Sequence, residues 1–127
     1  MFKVAYDDQD VFLDALKLKL SPEDYGMYLA HLRKVARHGL DKIFAEYNVD
    51  VIVGPCDSPL SSLSSGSGYP MAAMPLGYAE YNGRPFGLLA LAGKHQEAKV
   101  LTLLNAWEGT FGPRKPPPML SGVCGTK

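Results

Sequence analysis

At 127 residues the chain is one domain at most, yet long enough to bury a core without disulfides or a metal. Hydrophobic residues make up 46% and charged residues 20%, the proportions of an ordinary soluble globular protein. Net charge is zero, so there is no electrostatic footprint for DNA, RNA or an acidic membrane.

The two cysteines, Cys56 and Cys124, lie far apart and without metal-ligand spacing. They suit a reduced, cytoplasmic setting better than a disulfide framework, and no metal or cofactor is expected. "MFKVAYDDQD" carries no charged-then-apolar leader pattern, and the longest apolar run, Leu88 to Ala92, is far too short to span a membrane. The closing "CGTK" is a poor prenylation box.

In chain order, a short helix is expected from about Asp8 to Leu20, built on Val11, Phe12, Ala15 and Leu16. "SPED" then opens a long one. Ser21 can cap it, Pro22 suits its first position, and Asp24 stands where a capping-box acid belongs. Apolar residues recur at helical spacing from Tyr25 through Leu32, Leu40 and Phe44 to Tyr47, about six turns. Asn48 ends it.

Val49 to Val53 is β-branched and not alternating, which predicts a strand buried on both faces. "CDSPLSSLSSGSG" reads as a loop. "MAAMP" is a second short strand, and Asn82-Gly83 marks a hairpin leading into a third, about Phe86 to Ala92. "KHQEAKVLTLLNAWEGTF" forms a last helix with Ala98, Leu101, Leu104 and Trp107 on one face, stopped by Gly112-Pro113. The Pro-rich residues 114–127 are expected to be a disordered tail, leaving 1–113 as the folded domain. Short apolar strands between long helices predict an α/β fold, a small sheet of about three strands flanked by helices.

The segments Val51-Ile52-Val53-Gly54-Pro55, Gly68-Tyr69-Pro70, Pro75-Leu76-Gly77, Gly83-Arg84-Pro85-Phe86-Gly87 and Glu97-Ala98, in this order and spacing, resemble the C-terminal part of amidase signature hydrolases, the fungal type above all. The resemblance runs from roughly Ser21 to Pro117. It implies a fragment of an α/β/α sandwich with a mixed sheet. It also implies amide hydrolysis by a Ser-Ser-Lys triad in a Gly/Ser-rich signature that lies upstream of this segment and is absent from these residues. "SSLSSGSG" is not that signature. It lacks paired glycines beside its serines, Tyr69-Pro70 follows it where a small-residue helix would be needed, and no lysine stands in a partner motif.

The candidate ligand residues are Cys56, Asp57 and Ser58, which follow a strand end where α/β ligands gather, together with Tyr69, Met71 and Met74. The resemblance likewise brings this loop towards a substrate pocket. Against this stand a local Asx turn for Asp57, a buried inert thiol for Cys56, an aromatic anchor for Tyr69 and gap-filling for the methionines. Asp57 and His95 are the weak catalytic candidates. His95 and Glu97, two residues apart, do not form a facing pair on a helix.

Three functions compete. The first is a stand-alone protein with the amidase fold but not the triad, binding or transforming a small molecule. The second is a remnant or complementing piece of an enzyme that hydrolyses carboxylic amides. The third is a non-catalytic interaction module. Strands that are apolar on both faces and helix faces without a cover predict a homodimer.

Overall fold

The computed structural model describes residues 9–112, 114 and 116. The expected tail from Arg114 onward falls almost wholly outside the described residues. Seven elements follow in chain order: α1 (Asp10–Lys17), α2 (Pro22–Tyr47), β1 (Val51–Pro55), α3 (Leu60–Ser67), β2 (Met71–Tyr78), β3 (Pro85–Ala92) and α4 (Glu97–Phe111). The α/β class and the three-stranded sheet agree with the sequence expectation.

The chain divides into two compact units, 1–31 and 32–127. In the first, α1 is shorter than expected, and Val11, Phe12 and Leu16 are exposed. The start of α2 is capped as "SPED" suggests: the Asp24 N–H donates to Ser21 Oγ at 3.0 Å, and the Ser21 hydroxyl donates to the Asp24 carboxylate at 2.7 Å. This satisfies one of the amides that a helix start leaves without a partner.

In the second unit the sheet order is β1-β3-β2, with both pairings antiparallel. The mixed sheet implied by the resemblance is therefore not found among these three strands. β3 is central, and its Leu89, Ala90, Leu91 and Ala92 are buried. The strand buried on both faces is thus β3. β1 was expected in that role, but it lies at the edge with Val53 47% exposed. It also starts two residues later than expected. Asn48 takes a left-handed φ of 49° and the Val49 N–H returns to the Phe44 carbonyl, so 48–50 form the exit turn of α2.

Register sorts the side chains. Ile52, Leu89 and Leu91 share one face, where they pack with Leu40 and Phe44 of α2, Leu60 of α3, and Tyr69. Met74, Ala90 and Ala92 lie on the opposite face and are also buried. α4 packs against β2 and β3, with Val100 buried and Leu103, Leu104 and Trp107 half-buried. Its inward stripe is therefore not the expected one, since Ala98 and Leu101 are exposed.

Asn82-Gly83 does make the hairpin. Gly83 has φ of 68°, the Arg84 N–H donates to the Asn82 side chain at 3.0 Å, and the Ala79 N–H donates to the Arg84 carbonyl at 2.8 Å. β2 runs past "MAAMP" to Tyr78 by a register shift between Pro75 and Gly77. Opposite that shift a Cβ on Gly87 would fall 2.5 Å from the Met74 carbonyl oxygen, so only glycine fits there.

Candidate functional site

The stretch expected to be a loop holds the main departure. Leu60–Ser67 is a helix. Its serines do not pull the backbone out of helical form, because their hydroxyls bond back along it. Ser65 donates to the Ser61 carbonyl at 3.0 Å and Ser67 to the Leu63 carbonyl at 2.7 Å. The helix ends at Gly68, whose φ of 72° and N–H bond to the Ser64 carbonyl at 2.7 Å form a left-handed cap. Leu60, Leu63 and Gly66 recur at three-residue spacing, the signal that a reading of composition alone passes over. At Gly66 the helix comes so close to α2 that a Cβ would stand 3.3 Å from that of Ala36.

This contact carries a polar seam. Ser67 is fully buried and its hydroxyl also accepts the Tyr69 N–H at 3.1 Å. Arg37 Nε donates to the Ser67 carbonyl at 2.8 Å, and the Ser64 hydroxyl donates to the Tyr69 carbonyl at 2.9 Å. The Tyr69 phenol donates to an Asp41 carboxylate oxygen at 2.6 Å. Burial, then the bond to Asp41 and that residue's negative charge, push the Tyr69 hydroxyl from its ordinary value up to about 12, with Arg37 pulling the other way. Tyr69 is thus a protonated donor at neutral pH, an anchor of α2 to the sheet.

The remaining sequence candidates separate. Cys56 and Asp57 are exposed in a turn closed by the Ser58 N–H on the Pro55 carbonyl at 3.1 Å, and Cys56 is a free thiol. Ser58 is half-buried, with its hydroxyl facing the Leu60 N–H at 3.4 Å. Met71 is exposed on the face that carries Leu91, while Met74 is 1% exposed on the other face. The six residues therefore do not line one enclosed pocket within the described chain. His95 is exposed in the turn before α4 with φ of 58°, and Asp57 is not near it through any hydrogen bond or ion pair.

A groove that the sequence did not announce lies between the end of α2 and the start of α4. It is open to solvent, encloses about 400 Å³, and is lined by Asp41, Phe44, Asn48, Asp50, Gln96 and Lys99 among others. Lys99 pairs with Asp50 at its rim, and Asp41 is the carboxylate that receives Tyr69. Its walls come from residues distant in sequence, which is why no local motif marks it. Among the described residues no cluster of His, Cys, Asp or Glu could hold a metal ion, and no helix is long and apolar enough to cross a membrane.

Comparison with known proteins matches this architecture to amidases. The chain is 31% identical over 119 residues to a probable amidase of Arabidopsis thaliana, covering 94% of this chain and 23% of that protein. Its fold matches an amidase family protein from Bacillus anthracis str. Ames with a TM-score of 0.71 at 25% identity, over 89% of this chain and 22% of the other. The native peptide amidase of Stenotrophomonas maltophilia shares the fold with a TM-score of 0.69 at 23% identity, over 91% and 26%. No family model matches. The chain is a homologue of a part of the amidases, and it spans about a quarter of the length of those it matches. The resemblance read from the sequence holds.

Proposed function

We propose that this segment is framework for an amide-hydrolysing fold: it supplies one wall of a substrate site and not the nucleophile. The observation that carries this reading is the near-complete match of the chain to only 23% of a probable amidase. The spread of the candidate residues supports it too. Cys56, Asp57 and Ser58 sit in an open turn at a strand end, a place suited to line a pocket that other chain segments would close. Ser61, Ser64, Ser65 and Ser67 direct their hydroxyls at backbone carbonyls rather than at a base, the partner that a nucleophilic serine needs. Hydrolysis of carboxylic amides then requires the rest of such a fold, whether in the same polypeptide or in another. A cytoplasmic setting accompanies this reading.

The test is an assay of the purified chain on simple aryl and alkyl amides. No turnover is expected. Hydrolysis that disappears on replacing one serine between Ser61 and Ser67 would overturn the reading. The second reading, a small-molecule binder in a new role, rests on the groove between α2 and α4. Saturable shifts of Gln96 and Lys99 amide signals with an amide or amino-acid ligand would favour it.

A further inference from the structure

Asn48 precedes Val49 and Asn105 precedes Ala106, while Asn82 alone among the asparagines precedes a glycine. The pairing matters because an asparagine can close a cyclic imide on its own main chain. The backbone nitrogen of the next residue attacks the side-chain carbonyl carbon and its proton passes to solvent. The bond from that carbon to the side-chain nitrogen then breaks, and ammonia leaves. A side chain on the next residue crowds the ring, and glycine has none. Water from solvent reopens the ring at either carbonyl. Opening at Cγ leaves an ordinary aspartate. Opening at the main-chain carbonyl leaves an isoaspartate, whose main chain runs through Cγ and is longer by a methylene.

The hairpin between β2 and β3 holds both reacting groups. The attacking nitrogen belongs to Gly83, whose N–H donates to the Ala79 carbonyl at 2.7 Å. The attacked group is the Asn82 amide, whose Oδ1 accepts the Arg84 N–H at 3.0 Å. The Ala79 N–H on the Arg84 carbonyl at 2.8 Å closes the turn around them. To react, the Gly83 nitrogen must give up its proton and turn from Ala79 towards Cγ, and its bond to Ala79 opposes both. The bond on Oδ1 draws electrons from Cγ, which favours attack, but that gain is realised only once the nitrogen is free. The Gly83 bond therefore decides. All of these bonds run within residues 79–84 and do not depend on how the sheet continues.

We infer that Asn82-Gly83 is a site of spontaneous isoaspartate formation that the closed hairpin holds off, so that the modification follows opening of the turn. Its products differ in what they leave behind. The aspartate keeps an oxygen where the Arg84 N–H needs one. In the isoaspartate the added methylene displaces that acceptor and shifts Gly83 against Ala79, so the turn no longer closes and the adjoining Tyr78–Pro85 pairing loosens. The inference is independent of the amidase reading.

The purified chain is incubated at mildly alkaline pH, folded and in guanidinium chloride, and the peptide spanning Asn82 is followed by mass spectrometry, with isoaspartate resolved by chromatography. Hydrogen exchange of the Gly83 amide is measured on the folded chain. In denaturant, conversion at Asn82 is expected to outrun that at Asn48 and Asn105, and Gly83→Ala should slow it by crowding the ring. In the folded chain it should be slower by about tenfold or more, the factor that one or two ordinary hydrogen bonds supply, and by a factor matching the protection of the Gly83 amide. Equal rates in folded and unfolded chain overturn the inference. So does slow conversion beside a freely exchanging Gly83 amide, or conversion in denaturant that Gly83→Ala leaves unchanged.

Discussion

The Ser- and Gly-rich stretch from Cys56 to Tyr69 divides into two neighbours of opposite character. Its second part, Leu60 to Tyr69, packs against α2 with Gly66 at the contact, Ser67 fully buried, and the hydroxyls of Ser64, Ser67 and Tyr69 paired. Its first part, Cys56 to Ser58, is an open turn held by the Ser58 N–H on the Pro55 carbonyl and by the Ser58 hydroxyl facing the Leu60 N–H. Both contain polar residues. The difference lies in whether the hydroxyls find carbonyls within one helical turn and whether a small residue lets another helix approach. Rigidity here comes from packing, and freedom to meet a ligand comes from its lack.

The largest expected effect tests the packed half. Gly66→Leu must fit a side chain where a Cβ alone would stand 3.3 Å from Ala36 and 3.5 Å from Leu32. A loss of about 3 kcal/mol in urea unfolding is expected. An unchanged midpoint would mean that α2 and α3 do not meet closely. Ser67→Ala comes next. It removes the acceptor of the buried Tyr69 N–H, and a buried donor without a partner costs about 2 kcal/mol.

Much of this contrast is legible in the sequence, and the parts that are not share a physical reason. The cap at Ser21, the hairpin at Asn82-Gly83 and the apolar β3 are local signals, set by a few adjacent residues. α3 is not legible in the sequence because serine usually competes with helical hydrogen bonds, and here it joins them. The edge position of β1 is not legible either, because an apolar run records burial potential, whereas edge or centre is decided by which strands pair. The candidate site dispersed for a related reason. Met71 and Met74 are three residues apart, an odd number, and the period of two in a strand sends them to opposite faces. Tyr69 was anticipated as a possible anchor, but its partner Asp41 lies 28 residues away and could not be.

Tyr69→Phe sharpens the comparison through pH. The phenol deprotonates near its ordinary value of 10 in the unfolded chain and near 12 in the folded one. Below 10 both states keep the proton and the full stability is present. Between 10 and 12 the unfolded chain releases it first, so stability falls as pH rises. The variant should lose about 1 kcal/mol at neutral pH, the value of an ordinary hydrogen bond. It should also lose the part of the alkaline decline that this group causes. A decline of identical steepness in both proteins would show that Tyr69 is not held protonated by Asp41.

The smallest effect is expected in the open half. Asp57→Ala should change stability by no more than about 0.5 kcal/mol, the range of surface substitutions that remove no specific interaction. The Asp57 carboxylate is exposed and forms neither a hydrogen bond nor an ion pair, and the turn around it is closed by Ser58 on Pro55 without its help. An Asx turn, the structural role that its position after Gly-Pro first suggests, would require its carboxylate to accept a backbone N–H two residues on, and Pro59 has none. That leaves Asp57 free to act on whatever approaches the end of β1. If the variant unfolds as readily as Ser67→Ala, the turn is part of the rigid frame and the contrast between the two halves fails. If its stability is unchanged while an amidase reconstituted around this segment loses turnover, the open half is where the segment meets its substrate.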